Sequence, residues 1–379
     1  MSVAVFAADA ELRDDHPDTY VVQKGDTLWD IAGRFLNHPW LWPEIWQANP
    51  QVQNPHLIYP GDVLSLVYMD GRPIVSMQDG GFGPRIRRES TEAIDTIPLS
   101  EVEPFLKRMR MLREGEAETL PYVVAVEENR LRATEGQLVY VRGMNVETGE
   151  RVTLLRPTRI YYDVPDDYPF DWGQDESTHV EAADWEHERA PDTGFWTTTN
   201  ITRMKGHRSA YLGHEVMEIA QGEVMRGGDP ATVLVQYGDQ EIKKGDLVVA
   251  GGALAYDLRF VPRAANPVPP NMRVVAMAQG MEFAGPHMVV ALSRGAADGV
   301  ENGQVYSIFR PGEVVRDEVA FAEDDVRTLF KPGKADVQLP EEFVGHVLVF
   351  RTFDRISYGL VMESIKPTRL GDVLHEPVR

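Results

Sequence analysis

Two Gly-Asp pairs, Gly25-Asp26 and Gly61-Asp62, divide residues 19–67 into a short strand, a helical centre and a second strand. The stretch "TYVVQ" before the first pair has the alternation of a strand with one buried face. After that pair, apolar residues recur at i, i+3, i+4 and i+7 and so share one face of a helix: Leu28, Ile31, Ala32 and Phe35. Thr27 and Asp30 have the spacing of a reciprocal N-terminal cap for this helix.

The first predicted helix ends at Asn37-His38-Pro39. A second is predicted to begin near Pro43, because proline suits the first turn of a helix. Asn49-Pro50 ends the second helix, and "LIYPGDVLSLVY" follows as a closing strand. The predicted order of elements is therefore β-α-α-β.

Residues 68–120 are predicted to be a linker with some local strand and one helix. Gly, Pro and charged residues are mixed through 69–100 without a sustained period. The stretch "SEVEPFLKRMRMLRE" that follows predicts a helix, interrupted at Pro104, with Phe105, Met109 and Leu112 as its apolar side.

From Pro121 onward the apolar pattern has a period of two, which predicts strands. Three blocks share a turn followed by an apolar strand and indicate a degenerate internal repeat: "EIKKGDLVVAG", "DGVENGQVYSIFR" and "TRLGDVLHEP". The predicted fold class is α+β, a small β-α-α-β unit followed by a mainly-β region of one or two small barrels or sandwiches. "NPVPPN" at 266–271 predicts the boundary between β-rich domains at 121–265 and 266–379. The acidic, aromatic-rich stretch 161–190 is interpreted as a surface loop.

The net charge of −21 and the lack of cysteine limit the classes of ligand and of catalytic or metal site that the protein can have. Binding to a nucleic-acid backbone needs clustered Lys and Arg, and an acidic chain is also disfavoured at anionic membranes. The same charge keeps a protein soluble. Without cysteine, disulfides, thiolate metal sites and cysteine nucleophiles are excluded. No segment has the about 18 consecutive apolar residues of a membrane span.

The first ten residues, "MSVAVFAADA", are apolar and end in an A-x-A pattern typical of signal-peptide cleavage. We interpret them as the remnant of a signal peptide that starts upstream, with cleavage after Ala10. This interpretation predicts export to the periplasm or cell envelope. The alternative is an ordinary apolar N-terminus.

The segments "TYVVQKGDTLWDIAGRF" and "WPEIWQANPQVQNPHLIYPGDVLSL" closely resemble the LysM domain, a β-α-α-β module that binds N-acetylglucosamine-containing polymers, chiefly peptidoglycan and chitin. The whole chain also resembles an uncharacterised group of proteobacterial proteins with an export signal, one LysM domain and a long β-rich C-terminal region. That wider resemblance rests on "LPYVVAVEENR", "GQLVYVRG" and "VFRTFDRISYGLV", and it implies no activity for residues 68–379. The segment "LNHPWLWP" between the helices is longer than in a minimal LysM domain.

The resemblance implies a shallow glycan groove between the loop at 25–28 and the loop at 49–59. Backbone N–H and C=O groups with a few apolar side chains suit the hydroxyl, acetamido and C–H surface of a sugar chain. The predicted glycan-binding residues are Gly25, Asp26, Thr27, Leu28, Asn49, Pro50, Leu57, Ile58 and Tyr59. A single copy is expected to bind weakly, with a Kd of roughly micromolar to millimolar.

Four tryptophans lie in this unit: Trp29, Trp40, Trp42 and Trp46. They have two possible roles, stacking on sugar rings or filling the core of a small domain. The helical spacing of Trp29 and Trp46 favours the core. For Trp40 and Trp42, between the helices, both roles remain open.

The sequence lacks the motifs of familiar peptidoglycan enzymes. There is no H-x-H or HExxH for zinc, no Ser-x-x-Lys and no G-x-S-x-G. His179, His187, His207 and His214 lie near the acidic stretch, but their spacing matches no known metal site, so we predict no metal and no cofactor. The two carboxyl groups of a glycosidase can lie far apart in sequence. A chain with 59 acidic residues always contains candidate pairs, so their presence is not evidence for a glycosidase.

The leading prediction is a non-catalytic protein that binds peptidoglycan glycan strands through residues 19–67. In this prediction the C-terminal β region is a scaffold or holds an envelope protein, and neither nucleic acid nor a transmembrane span is involved. One alternative is a peptidoglycan hydrolase with an unrecognised catalytic region in 121–379. Another is a scaffold whose β region recognises a protein by strand addition, with glycan binding secondary.

Overall fold

The structure, a computed structural model, describes residues 11–43, 58–69, 72–77, 94–163, 210–251, 260–278, 283–317, 319 and 335–377. The N-terminal unit contains strand β1 (Thr19–Val21), helix α1 (Leu28–Phe35), a 3-10 turn (Pro39–Leu41) and strands β2 (Val63–Met69) and β3 (Arg72–Met77). β2 pairs antiparallel with β1 on one side and with β3 on the other. Trp42 and Pro43 are helical where the second helix was predicted to begin, and residues 44–57 lie outside the described residues.

Helix α1 forms for the local reasons that its sequence predicts. Its N-cap is Thr27, and the reciprocal cap with Asp30 is present. The four apolar residues of its predicted face are all fully buried, in a cluster that also includes Val22, Trp42, Ile58 and Leu64. The agreement with the predicted β-α-α-β unit holds for every part of it that the structure describes.

The next region begins with helix α2 (Leu99–Arg108) and strand β4 (Met109–Leu112), followed by the short helix α3 (Glu116–Thr119). The prediction of one helix reaching Leu112 was wrong at its C-terminal end. Met109 and Leu112 lie in a strand because β4 pairs with a long strand of the β region, and this tertiary pairing overrides the helical pattern. Pro104 lies inside α2 without ending it.

Six strands close into a small barrel, as the sequence predicted for part of the β-rich region. Its order is β10-β7-β5-β12-β8-β9, and β9 pairs back with β10. The strands and the two short strands beside them are β5 (Tyr122–Val126), β6 (Arg132–Ala133), β7 (Leu138–Arg142), β8 (Arg151–Tyr162), β9 (Tyr211–Arg226), β10 (Ala231–Gly238), β11 (Ile242–Lys243) and β12 (Leu247–Ala250). A 3-10 turn, Glu127–Asn129, follows β5.

The last part of the chain builds a second sheet in the order β13-β17-β20-β21-β16-β14, with β23 paired to β17. A bridge from Arg273 to Val373 brings the two ends of this sheet together. Its strands and the short hairpin strands around it are β13 (Arg263–Ala264), β14 (Val274–Met277), β15 (Phe283–Ala284), β16 (Val289–Leu292), β17 (Gln304–Arg310), β18 (Val314–Arg316), β19 (Asp336–Gln338), β20 (Glu342–Thr352), β21 (Ser357–Ser364), β22 (Thr368–Arg369) and β23 (Val373–His375). A 3-10 turn, Ala296–Asp298, follows β16.

One continuous apolar core joins the barrel, the second sheet and α2. Phe105 of α2 lies edge-on to Phe350 and Tyr358 of the second sheet, with ring centroids 6.3 and 6.0 Å apart. Trp29 and Trp40 from the N-terminal unit belong to the same cluster. The predicted boundaries at 68, 121 and 266 remain predictions.

One type of turn recurs along the chain. In it, the N–H of residue i donates to the side-chain oxygen of residue i+3, whose own N–H donates to the C=O of residue i, and residue i+2 is a glycine with positive φ. Only glycine adopts that φ without strain. The turn occurs at 23–26, 59–62, 113–116, 134–137, 147–150, 243–246, 301–304 and 369–372. The three blocks that predicted an internal repeat each contain it.

Candidate functional site

The two Gly-Asp turns of the N-terminal unit lie side by side. The N–H of Val22 donates to the C=O of Asp62 over 2.9 Å, and the N–H of Gly61 donates to the C=O of Val22 over 2.8 Å. These bonds continue the pairing of β1 with β2. The turns that adjoin the two predicted walls of a glycan groove are therefore fixed to each other.

The first loop is held by the carboxylate of Asp26. Its Oδ2 accepts hydrogen bonds from the hydroxyl of Tyr20 and from the N–H of Gln23, both over 2.8 Å. Partial burial of Tyr20, together with this hydrogen bond, raises the pKa of its hydroxyl. Gly25, with φ of +96°, forms the bend that lets the carboxylate reach both donors.

The cap at Thr27 leaves two N–H groups of helix α1 directed out of the loop. The Oγ1 of Thr27 accepts from the N–H of Asp30 over 3.2 Å, and Asp30 Oδ2 accepts from the N–H and Oγ1 of Thr27 over 3.1 and 2.7 Å. The N–H groups of Leu28 and Trp29 have no acceptor within the helix, as expected for a first turn.

A segment of the chain itself supplies those acceptors. We call residues 94–97 the strap. The N–H of Leu28 donates to the C=O of Asp95 over 2.9 Å, and the N–H of Trp29 donates to the C=O of Thr96 over 3.3 Å. On the other wall, the C=O of Ile58 accepts from the N–H of Ile94 over 2.9 Å. The strap therefore lies between the first turn of α1 and Ile58, in the groove that the resemblance implied.

The described residues of the predicted site lie close together. It is mainly their backbone groups that they present to the groove. The side chains of Leu28 and Ile58 are fully buried, so each reaches the groove through a backbone group. Tyr59 belongs to the second turn, where its N–H donates to Asp62 Oδ2 over 2.9 Å. Three further predicted residues, Asn49, Pro50 and Leu57, lie outside the described residues.

The strap was not predicted from the sequence. Ile94 and Ile97 are 8% and 0% exposed, and Thr96 is buried beside them, while the side chain of Asp95 is exposed. The signal in the sequence was "IDTIP", two isoleucines and a proline at the end of a stretch interpreted as linker. Ile94 packs with the core of the N-terminal unit, and Ile97 packs with the core that α2 shares with the β region.

The described tryptophans of this unit are core residues. Trp29, Trp40 and Trp42 are each 2–3% exposed. Trp40 lies against His346 of the second sheet with ring centroids 4.4 Å apart, and His346 Nδ1 is 2.7 Å from Glu363 Oε1. The open question for Trp40 and Trp42 is thus answered in favour of packing, and Trp46 lies outside the described residues.

The most enclosed carboxyl group among the described residues is that of Glu215, which joins the barrel to the second sheet. Its Oε2 accepts from the hydroxyls of Tyr161 and Tyr358 over 2.9 and 2.6 Å, and its Oε1 accepts from Thr158. The side chain is fully buried, and this burial raises the pKa of the carboxyl group. Both oxygens have protein partners, which makes this a structural junction.

Within the described residues, no group of three or more His, Asp or Glu side chains is placed to hold a metal ion. His214 is buried in β9, which lowers its pKa to about 4. The other three histidines considered above, at 179, 187 and 207, lie outside the described residues. As far as the structure describes the chain, no helix has both the length and the apolar composition to cross a bilayer.

Comparison with known proteins agrees with the geometry of the N-terminal unit. Residues 20–67 match the family model of the LysM domain. The chain is also similar to the uncharacterized protein YqbP of Bacillus subtilis (strain 168), at 40% identity over 60 residues. This match spans 13% of the chain and 27% of YqbP. The protein therefore contains a LysM domain at residues 20–67, a domain that in general supports binding of peptidoglycan- or chitin-type glycans.

Proposed function

We propose that this protein binds the N-acetylglucosamine-containing glycan strands of peptidoglycan through its LysM domain, without catalysing a reaction on them. The observation that carries the proposal is the match of residues 20–67 to the LysM family. The site is the groove between the loop at 25–28 and the loop that ends in Ile58 and Tyr59. We place the protein in the cell envelope, because peptidoglycan is there.

The chemistry of the groove supports an amide-bearing sugar as ligand. The N–H groups of Leu28 and Trp29 and the C=O of Ile58 bond to residues 94–97 in the structure. When released, they give the groove two donors and one acceptor. An acetamido group carries one C=O and one N–H, and the neighbouring sugar hydroxyls act as further acceptors. Each such hydrogen bond contributes about 1 kcal/mol net, which agrees with the weak binding expected of a single copy.

The placement of Glu215 argues against a catalytic role for that carboxyl group. A glycosidase needs carboxyl groups on either side of an accessible bond. Glu215 is closed off from solvent and bonded to three hydroxyl groups. We propose that the barrel and the second sheet serve as a scaffold, and that they hold a partner protein in the envelope.

The proposal is tested by cosedimentation of the full-length protein with purified peptidoglycan and by titration with chitopentaose. We expect retention on peptidoglycan and saturable binding of the oligosaccharide. Release of muropeptides during the same incubation is measured to test for hydrolysis. Absence of binding to both glycans, by the wild-type protein and by a variant in which residues 94–97 are weakened, refutes the binding function, and release of muropeptides refutes the non-catalytic assignment.

A further inference from the structure

The strap makes the same kind of contacts with the groove that a ligand is expected to make. Its C=O groups at Asp95 and Thr96 accept from the N–H groups of Leu28 and Trp29, which have no acceptor within helix α1. On the opposite wall, the N–H of Ile94 donates to the C=O of Ile58. The donors of Leu28 and Trp29 each point at one acceptor. A glycan that uses these donors and the strap therefore exclude each other.

The strap also stabilises the groove. The first N–H groups of a helix need partners from outside the helix, and the strap supplies two of them. Ile94 adds an apolar contact, since it packs in the same cluster as Leu28, Ile31 and Ile58. In the structure these contacts satisfy the backbone groups of the groove, so a ligand has to replace them.

The two ends of the strap are held differently. At the C-terminal end, Ile97 is fully buried and leads through Pro98 into helix α2. This helix is fixed to the second sheet, because the guanidinium of Arg351 donates to the C=O groups of Phe105, over 2.7 Å, and Leu106. At the other end, Ile94 donates its N–H to the C=O of Ile58 and packs in the core of the N-terminal unit. The two ends are anchored in different cores, so Ile94 can leave the groove while α2 stays in place.

We propose that residues 94–97 are an intramolecular competitor for the glycan, so that the groove binds an N-acetylated sugar polymer only after the strap has separated from it. This inference rests on the proposed function of the LysM domain. The apparent affinity of the protein is then its intrinsic affinity multiplied by the fraction of molecules with an open groove. The strap sets that fraction, and any contact that loosens it raises the affinity for glycan.

The first test is hydrogen exchange with mass spectrometry on the full-length protein, with and without saturating chitopentaose. We expect faster exchange in the peptide that contains 94–97 when the sugar is bound. The peptide that contains Leu28 and Trp29 is expected to stay protected, because the sugar replaces the strap as acceptor. Bound sugar with unchanged protection at 94–97 overturns the competitor assignment and leaves glycan binding intact.

The second test compares two substitutions in the same apolar cluster. Ile94→Ser weakens the strap, whereas Val75→Ser in β3 removes a buried apolar side chain of that cluster outside the strap. We expect Ile94→Ser to lower the Kd for chitopentaose about tenfold or more, and Val75→Ser to leave it unchanged or raise it. Equal Kd values for the wild-type protein and Ile94→Ser overturn the inference. No binding by any variant refutes the proposed function together with it.

Discussion

The last position of the recurring turn is an aspartate in two different environments, buried at Asp246 and partly exposed at Asp26. At 243–246, the carboxylate of Asp246 accepts from the N–H of Lys243 over 2.7 Å and also pairs with Arg156. The guanidinium makes two bonds to the carboxylate, Nε to Oδ1 over 2.9 Å and Nη2 to Oδ2 over 2.8 Å. Both side chains are almost fully buried, with relative exposures of 4% and 1%. At 23–26 the same turn position is Asp26, which is partly exposed and has no guanidinium partner among the described residues.

We predict that Asp246→Ala lowers the free energy of unfolding by about 3–5 kcal/mol, because it leaves the guanidinium of Arg156 buried without its counter-charge. Among the described residues, the guanidinium still donates to Gln240 Oε1 and to the C=O of Glu241, and these acceptors carry no charge. Asp26→Ala removes two hydrogen bonds whose donors can reach water, so we expect a loss of about 1–2 kcal/mol.

The assay is unfolding in guanidinium chloride at pH 7, monitored separately by circular dichroism for the β region and by hydrogen exchange for the N-terminal unit. The double variant Arg156→Met with Asp246→Leu is the control for charge burial. Replacing a buried ion pair by apolar residues of similar volume is often neutral or stabilising, so we expect it to recover most of the loss. Equal effects of Asp246→Ala and Asp26→Ala, or a double variant no better than the single one, would refute this reasoning.

Three further predictions concern the site, its attachment and pH. Asp26→Ala combined with Thr27→Ala removes the loop carboxylate and the helix cap, each worth about 1 kcal/mol; we expect weaker retention on peptidoglycan and an unchanged circular dichroism signal from the β region. Trp40→Ala removes the contact with His346 and should destabilise the protein by about 3–5 kcal/mol in denaturant unfolding, with faster hydrogen exchange at the junction. Burial lowers the pKa of His214 to about 4, so its neutral form stabilises the fold above pH 6.5, and this contribution disappears as the pH falls toward 4. His214→Gln should therefore reduce the stability lost between pH 7 and pH 4.5 by up to about 3 kcal/mol, measured by denaturant titration at both pH values.

Features determined by residues close together in the sequence were predictable. The apolar face of α1 and the cap at Thr27 depend on spacings of three and four residues, and both are present. The barrel strands follow from their period of two and their turns. The end of α2 was not predictable in this way, because Met109 is drawn into a strand by its pairing with Met217. The packing of Trp40 on His346 is likewise a contact between distant parts of the chain.

The candidate site was predictable to the same extent. The loop at 25–28 and the turn at 59–62 carry local signals, and the structure places them side by side. The strap carries almost none, since its backbone bonds to Leu28, Trp29 and Ile58 do not depend on the identity of its side chains. In the sequence, only the apolar side chains of Ile94 and Ile97, which are buried in the structure, indicate a contact of this kind.

The Gly-Asp pair by itself does not define a glycan site. The same turn leads directly into strands at 59–62, 134–137, 147–150, 243–246, 301–304 and 369–372, where the following backbone groups pair within sheets. At 23–26 and 113–116 it leads instead into a helix, the eight-residue α1 and the four-residue α3, and the first N–H groups of α1 require an acceptor from elsewhere. We therefore expect glycan binding in the LysM unit to use the junction of this turn with α1. Because the strap bonds to that junction in the structure, we expect the affinity of this protein for glycan to depend on residues 94–97 as much as on the loops that form the groove.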